Sequence, residues 1–181
     1  MAVARKPLKI RSTEYERMAN LGVFDADRPH TELLGGHIYE MPPIGTPHLI
    51  VVTRLQHRFE RALNEEVRVL VQQPLIVDKF NEPQPDVVVL REPLRRRPRA
   101  EDALVVIEVS DTTYNDDSRV KLPAYLAGGV PLVRIVNLRQ GVLEEYSPSG
   151  SRVYRPGEQP PTVAGVSVDL AWLLADLPSD G

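Results

Sequence analysis

The spacing of apolar and polar positions changes along this chain, and each change marks an element. In 31-TELLGGHIYEM-41 two short alternating runs flank Gly35-Gly36, the pair favoured by a two-residue hairpin turn with positive φ. That register sets Leu34 opposite His37 and Glu32 opposite Tyr39. Since strand side chains alternate, Glu32 and Glu40 fall on different faces, and only one of them can serve a given site. Thr46-Pro47 reads as a helix start, followed by Leu55, Phe59 and Leu63 at helical spacing, with His48 in the first turn. Either His48 looks into a cleft at the helix end or it is a partly exposed surface histidine. The β-branched stretch from Val67 to Val77 reads as a strand broken at Gln72-Gln73-Pro74.

Two runs look like buried strands: 86-DVVVL-90, and 104-LVVIEVS-110, whose nearly continuous apolar character fits a central strand covered on both faces. Asp117 is expected to cap a helix carrying Val120, Lys121, Ala124 and Tyr125, kinked or shortened by Pro123 and ended by Gly128-Gly129. Strands follow at 130–138, 141–147 and 151–155, and Asp169 is expected to cap a terminal helix containing Leu170, Trp172, Leu173 and Leu174. Ser12 or Thr13 is expected to cap a first helix that runs to about Asn20. The order is mixed α and β with hairpins and no internal repeat.

Polar residues interrupt this pattern where the core should be driest. Asp86 opens one buried run, Glu108 sits inside the other, and Lys121 follows closely. Carboxylates are rarely buried alone, because an unpaired ionised carboxylate costs several kcal/mol or more in a low-dielectric interior. Two carboxylates and a lysine in one core point to metal-assisted chemistry, with a divalent cation as the compensating charge. The structural alternatives are capping or hydrogen bonding at strand ends for Asp86 and Glu108, and a buried salt bridge for Lys121.

At 181 residues the chain suits one globular domain with a sizeable core. It has no cysteine, so disulfides, thiolate zinc sites and cysteine nucleophiles are excluded, and any metal must be held by oxygen or imidazole. No apolar run approaches the roughly 20 residues that span a bilayer, and the start, MAVARKPLKIRS, lacks a secretory apolar stretch, so a cytoplasmic protein is expected. The formal net charge of −3 argues against a uniformly basic surface. Arg95, Arg96 and Arg97, with Arg99 beyond Pro98, nevertheless form a basic loop that either tracks a phosphate backbone or is simply solvated.

Several segments together resemble the Uma family of restriction-endonuclease-like proteins, a branch of the PD-(D/E)XK nuclease superfamily. The hairpin 31–41, the helix start 46-TPHLIVVTRL-55, the segment 72-QQPLIVDKFNEPQPDVVVL-90, the stretch 107-IEVSDTTYNDDSRVKLPAYLAGGV-130 and the closing 165-GVSVDLAWLLAD-176 all match, covering residues 13 to 176. The resemblance implies an α/β (α+β mixed) restriction-endonuclease-like core, a central mixed sheet flanked by helices with an N-terminal hairpin and the active site at the strand ends. Residues 13–176 would form that domain, with 1–12 as a flexible arm and 177–181 as a tail.

By motif, Asp86 is the aspartate of the PD element and Glu108 the acidic residue of the second strand, while Glu32 matches a hairpin glutamate that completes the acidic cluster. Ser110 stands where the superfamily has its lysine, two residues after the glutamate, and Lys121 takes over that role from the next helix. The implied reaction is phosphodiester hydrolysis with Mg2+ or Mn2+ held by Asp86 and Glu108, joined by the backbone carbonyl of Val109. Lys121 would orient the attacking water, lower its pKa or stabilise developing charge. His48, Gln73, Arg95, Arg96 and Arg97 are candidate substrate contacts, although Gln73 can equally satisfy the backbone beside Pro74.

The expected function is an endonuclease acting on nucleic acid, DNA before RNA. A homodimer is expected where both strands of a duplex must be cut. The alternative, suggested by the displaced lysine, is a nuclease-fold protein that has lost cleavage and serves as a nucleic-acid-binding or regulatory module.

Overall fold

In the computed structural model, which describes residues 7–24, 30–62, 67–92 and 94–178, the chain winds around one six-stranded sheet and a separate hairpin. Strand order is β3 (Val67–Val71), β4 (Val87–Arg91), β5 (Ala103–Ser110), β6 (Val133–Asn137), β7 (Val142–Ser147) and β8 (Gly150–Tyr154). Only β5 and β6 run parallel, and the connection between them is helical, because parallel neighbours need a crossover where antiparallel ones need only a turn. The sheet is therefore mixed, as expected, and β5 has partners on both edges.

Helix α1 is Ser12–Asn20 and α2 is Thr46–Glu60. Both helices start at a residue expected to cap them, Ser12 and Thr46, so each cap falls one residue earlier. Arg11 and Gly45 are the extended N-cap residues, the Arg11 amide donates to Glu14 Oε2 at 2.8 Å, and Pro47 lies in the first turn of α2. Leu63 lies outside the described residues. Ile10 N–H donates to Gly36 O and Ser12 N–H to Lys79 O, which ties the segment before α1 to the hairpin and to the loop below it.

Alternation along the central strands sorts side chains into two cores. Val87, Val89, Val105, Ile107 and Val109 pack under Val51, Val52, Leu55 and Phe59 of α2, together with Leu170 and Leu173 of the last helix, α5 (Leu170–Leu174). On the opposite face Val88, Leu90, Val106, Val133 and Ile135 meet Leu122 and Tyr125. Each such large apolar side chain contributes about 1.5–3 kcal/mol on burial, so the two layers fix the sheet between helices. Asp169 caps α5 as expected, its carboxylate accepting from the amides of Ala171 and Trp172.

The hairpin forms in the expected register, β1 (Thr31–Leu34) against β2 (His37–Glu40), with Gly35 and Gly36 at φ 60° and 84°. Strand β1 is buried and β2 largely exposed. Paired Leu33 and Glu82 backbones dock β1 on the segment that leads into β4. This contact brings Glu32 to the sheet end. None of the described helices is long and apolar enough to cross a membrane.

Candidate active site

One residue beyond the Val87–Ile107 pair, the antiparallel register of β4 and β5 sets Asp86 beside Glu108. Glu108 belongs to the face of β5 that also carries Val106 and Ser110, so it points toward the helical crossover. The Asp86 amide donates to Glu108 Oε2 at 3.2 Å, and the Val109 amide donates to Asp86 Oδ2 at 2.8 Å. His48 Nε2 lies 2.9 Å from the same Oδ2, so the first turn of α2 also positions Asp86. Both carboxylates are buried.

The crossover helix departs from the expected cap. Residues 114–127 form α3 (Tyr114–Asp116), a π-helical turn (Asp117–Lys121) and α4 (Leu122–Ala127) in succession. Asp117 is therefore inside the helix, not at its start. Pro123 lies inside this continuous helix just after the wider π turn, so the irregularity in the helix falls where the proline removes an N–H. Asp117 and Lys121 share a face four residues apart and both are buried. Asp117 Oδ2 accepts from Ser110 Oγ at 2.6 Å and Thr113 Oγ1 at 2.7 Å, so the strand serine two residues after Glu108 anchors this turn.

Lys121 Nζ lies 3.2 Å from Glu32 Oε2, 3.6 Å from Asp117 Oδ1 and 3.8 Å from Glu108 Oε1. Burial opposes its charge, but the carboxylates of Glu108, Glu32, Asp117 and Asp86 outweigh that penalty and hold it above the ordinary lysine value. Glu108 moves the other way from a typical ion-paired acid. Burial pushes its carboxyl well above the ordinary range, Asp117 and Asp86 push in the same direction, and Lys121 and the Tyr125 hydroxyl, which donates to Oε1 at 2.7 Å, only partly oppose the rise.

Four of the expected residues, Glu32, Asp86, Glu108 and Lys121, thus meet at one cleft, and His48 joins them through Asp86 rather than as a free contact. Gln73 does not reach it: it is exposed, and its neighbour Gln72, at φ 50°, lines the cleft. The arginine loop lies elsewhere. Arg96 pairs with Glu101 and Asp102, and Arg97 with Glu16 and buried Glu82, so two of its three guanidinium groups serve the chain's own structure, while Arg95 is exposed. Asp117 and Tyr125 are the site residues that the sequence reading assigned to other jobs. The four-residue spacing of Asp117 and Lys121 was the available signal for the first; Tyr125 sits in an apolar stripe and gave none.

Among the described residues no three His, Asp or Glu side chains converge as a ready-made metal cage. The pair Asp86 and Glu108 nonetheless suits a hard cation such as magnesium, which takes one or two protein carboxylates and keeps several waters. Four carboxylates, Glu32, Asp86, Glu108 and Asp117, surround a single ammonium here, and that local excess of negative charge fits a divalent ion.

No curated protein matches the chain. Among solved structures, one described as "a putative nuclease belonging to DUF820" from Anabaena variabilis superposes with a TM-score of 0.68 over 83% of this chain and 92% of that one, at 14% identity. That likeness establishes the shared fold. The family model "Uma2: Putative restriction endonuclease" matches residues 12–174, nearly the whole chain and every element of the cleft. The chain belongs to the Uma2 family of restriction-endonuclease-like nucleases.

Proposed function

We propose that this protein hydrolyses phosphodiester bonds in nucleic acid at the cleft between the hairpin and the ends of β4 and β5, using a divalent cation. The observation that carries this reading is the surplus of buried carboxylates around Lys121. A merely structural cluster would balance its charges, because burying unmatched carboxylates destabilises a fold. Asp86 and Glu108 would hold the cation, with the Val109 carbonyl as a further oxygen. When bound, the ion supplies Lewis-acid stabilisation of phosphoryl charge and a more acidic water.

The remaining groups act on geometry and charge. His48 and the Val109 amide fix the rotamer of Asp86, and Tyr125 does the same for Glu108. Lys121, held protonated by its carboxylate neighbours, acts as a donor to water or phosphate oxygen rather than as a base. Glu32 and Asp117 aim the ammonium. The family description favours DNA over RNA. Magnesium, with manganese as its substitute, suits the all-oxygen ligand pair. The site is complete within one chain, so a homodimer enters only for a double-strand cut. We assign the reaction to the cytoplasm, where free magnesium and nucleic acid coexist.

The test is nicking of negatively supercoiled plasmid, whose underwinding opens unpaired segments, with Mn2+, beside a calorimetric Mn2+ titration. Wild type should nick and bind the ion. Asp86→Asn should do neither, and Lys121→Ala should bind the ion yet cut about 10²–10³-fold more slowly, the scale of one lost transition-state donor. Cleavage that survives in both variants would remove this site from the reaction.

A further inference from the structure

We infer that the cleft admits an unpaired nucleotide and stacks its base on Tyr39, so the substrate segment is single-stranded rather than continuous duplex. This rests on the nuclease reading above and specifies its substrate. Tyr39 pairs directly with Glu32 across the hairpin, so its ring and that carboxylate share a face, yet the side chain is 51% exposed. Ile44 and Val120, 49% and 44% exposed, line the same cleft, as do Met41 and Pro43. Single exposed apolar residues are ordinary, but here several line one concavity of about 480 Å³, a size typical of small-molecule sites. The carboxylates and Lys121 line the same concavity, with Glu32 beside Tyr39 and Val120 next to Lys121 in the crossover helix. A cleft with both apolar and charged lining matches the two parts of a nucleotide.

A duplex is a poor match for the same cleft. Duplex binders neutralise phosphates on both strands with lysine and arginine. Among the described residues, Lys121 and His48 are the only basic side chains lining this cleft, and both are already bonded to carboxylates. Glu40, Asp111 and Asp116 line it as well and would repel a second phosphate backbone. A splayed single strand avoids that conflict, since its binding draws on base–aromatic stacking in addition to charge.

The experiment uses DNA oligonucleotides carrying one 2-aminopurine, single-stranded and as blunt duplex, titrated with the whole protein. Calcium replaces magnesium for binding, and Mn2+ is used for cleavage. Wild type should bind the single strand at least about ten-fold more tightly than the duplex. Its fluorescence change should vanish in Tyr39→Ala, with binding weakened roughly ten-fold, and persist in Tyr39→Phe, the scale of one base stacked on a ring. Circular dichroism establishes that both variants are folded. Equal affinity for duplex, no binding of either form, or Tyr39→Ala indistinguishable from wild type would overturn the inference. The two claims separate cleanly: Asp86-dependent cutting without any Tyr39 effect leaves the nuclease reading and removes this one, whereas Tyr39-dependent binding without cutting does the reverse.

Discussion

The Lys121 ammonium lies closer to Glu32 of the hairpin, at 3.2 Å, than to Glu108 of the central strand, at 3.8 Å. The lysine on the crossover helix is therefore aimed by an element outside the main sheet. Glu32→Gln should release it while leaving Asp86 and Glu108 in place. We expect single-turnover cleavage to fall about ten-fold or more, equivalent to about 1.4 kcal/mol, with Mn2+ affinity changed far less. Calorimetry and quenched-flow kinetics on the same variant separate the two effects.

Tyr125 is fully buried with its hydroxyl on Glu108 Oε1. Tyr125→Phe keeps the ring and deletes that donor. Mn2+ affinity should drop about 10-fold or more, as for other groups that orient a metal ligand, and stability should fall by roughly 1 kcal/mol. Mn2+ titration and thermal denaturation read the two losses.

Glu108 makes stability depend on pH. Its carboxyl is raised well above the ordinary 4.5 by burial, so the folded state holds this proton more tightly than the unfolded state. The stability this provides is complete below about pH 4.5 and is lost as pH rises through the folded value. Glu108→Gln removes the cost of ionising in the interior. Without divalent ions it should melt higher than wild type near pH 8, by roughly 2–4 °C for each kcal/mol relieved, and the gap should close on acidification.

Arg97 and Arg95 are neighbours with unlike roles. Arg97 covers the fully buried Glu82, whose own carboxyl is raised by burial despite that partner. Arg97→Ala should cost about 1–3 kcal/mol by stranding a buried acid, less than for a fully buried pair because the Arg97 side chain is 36% exposed, whereas Arg95→Ala should leave the melting curve unchanged. Chemical denaturation of the two single variants tests this. A combined substitution of the arginine loop would therefore report on folding before it reported on nucleic acid.

At Gly128, at the end of α4, a Cβ would collide with Val77 Cγ1 and crowd the Val77 carbonyl oxygen at 3.2 Å, so even alanine must displace Val77. Gly128→Ala should destabilise by about 1–3 kcal/mol, measurable by urea titration, although its backbone angles suit any residue.

The sequence carried the hairpin register because Gly35-Gly36 leaves few turns open, and it carried Asp86 and Glu108 because acids stand out in apolar strands. Lys121 stood out with those acids as a charge near the same core, whereas its role and Glu32 became legible through family likeness, since no local pattern joins a hairpin to a distant helix. What stayed hidden depended on geometry that the two simple periods do not describe. A positive φ at Gln72 exchanged the places of Gln72 and Gln73, and a π turn moved Asp117 from cap to cluster. The pairing of Arg97 with Glu82 arises only from the fold, so a run of arginines looked like an open surface.

The cleft draws Glu32, His48, Asp86, Glu108 and Lys121 from five separate elements or their ends, and it closes only when the β5–β6 crossover packs on the sheet. A nascent chain emerging from a ribosome would carry the first four of these side chains before the lysine exists, and all five before β6 seals the layer. A site built this way is a property of the folded sheet with its crossover in place, and no single segment of the chain carries it.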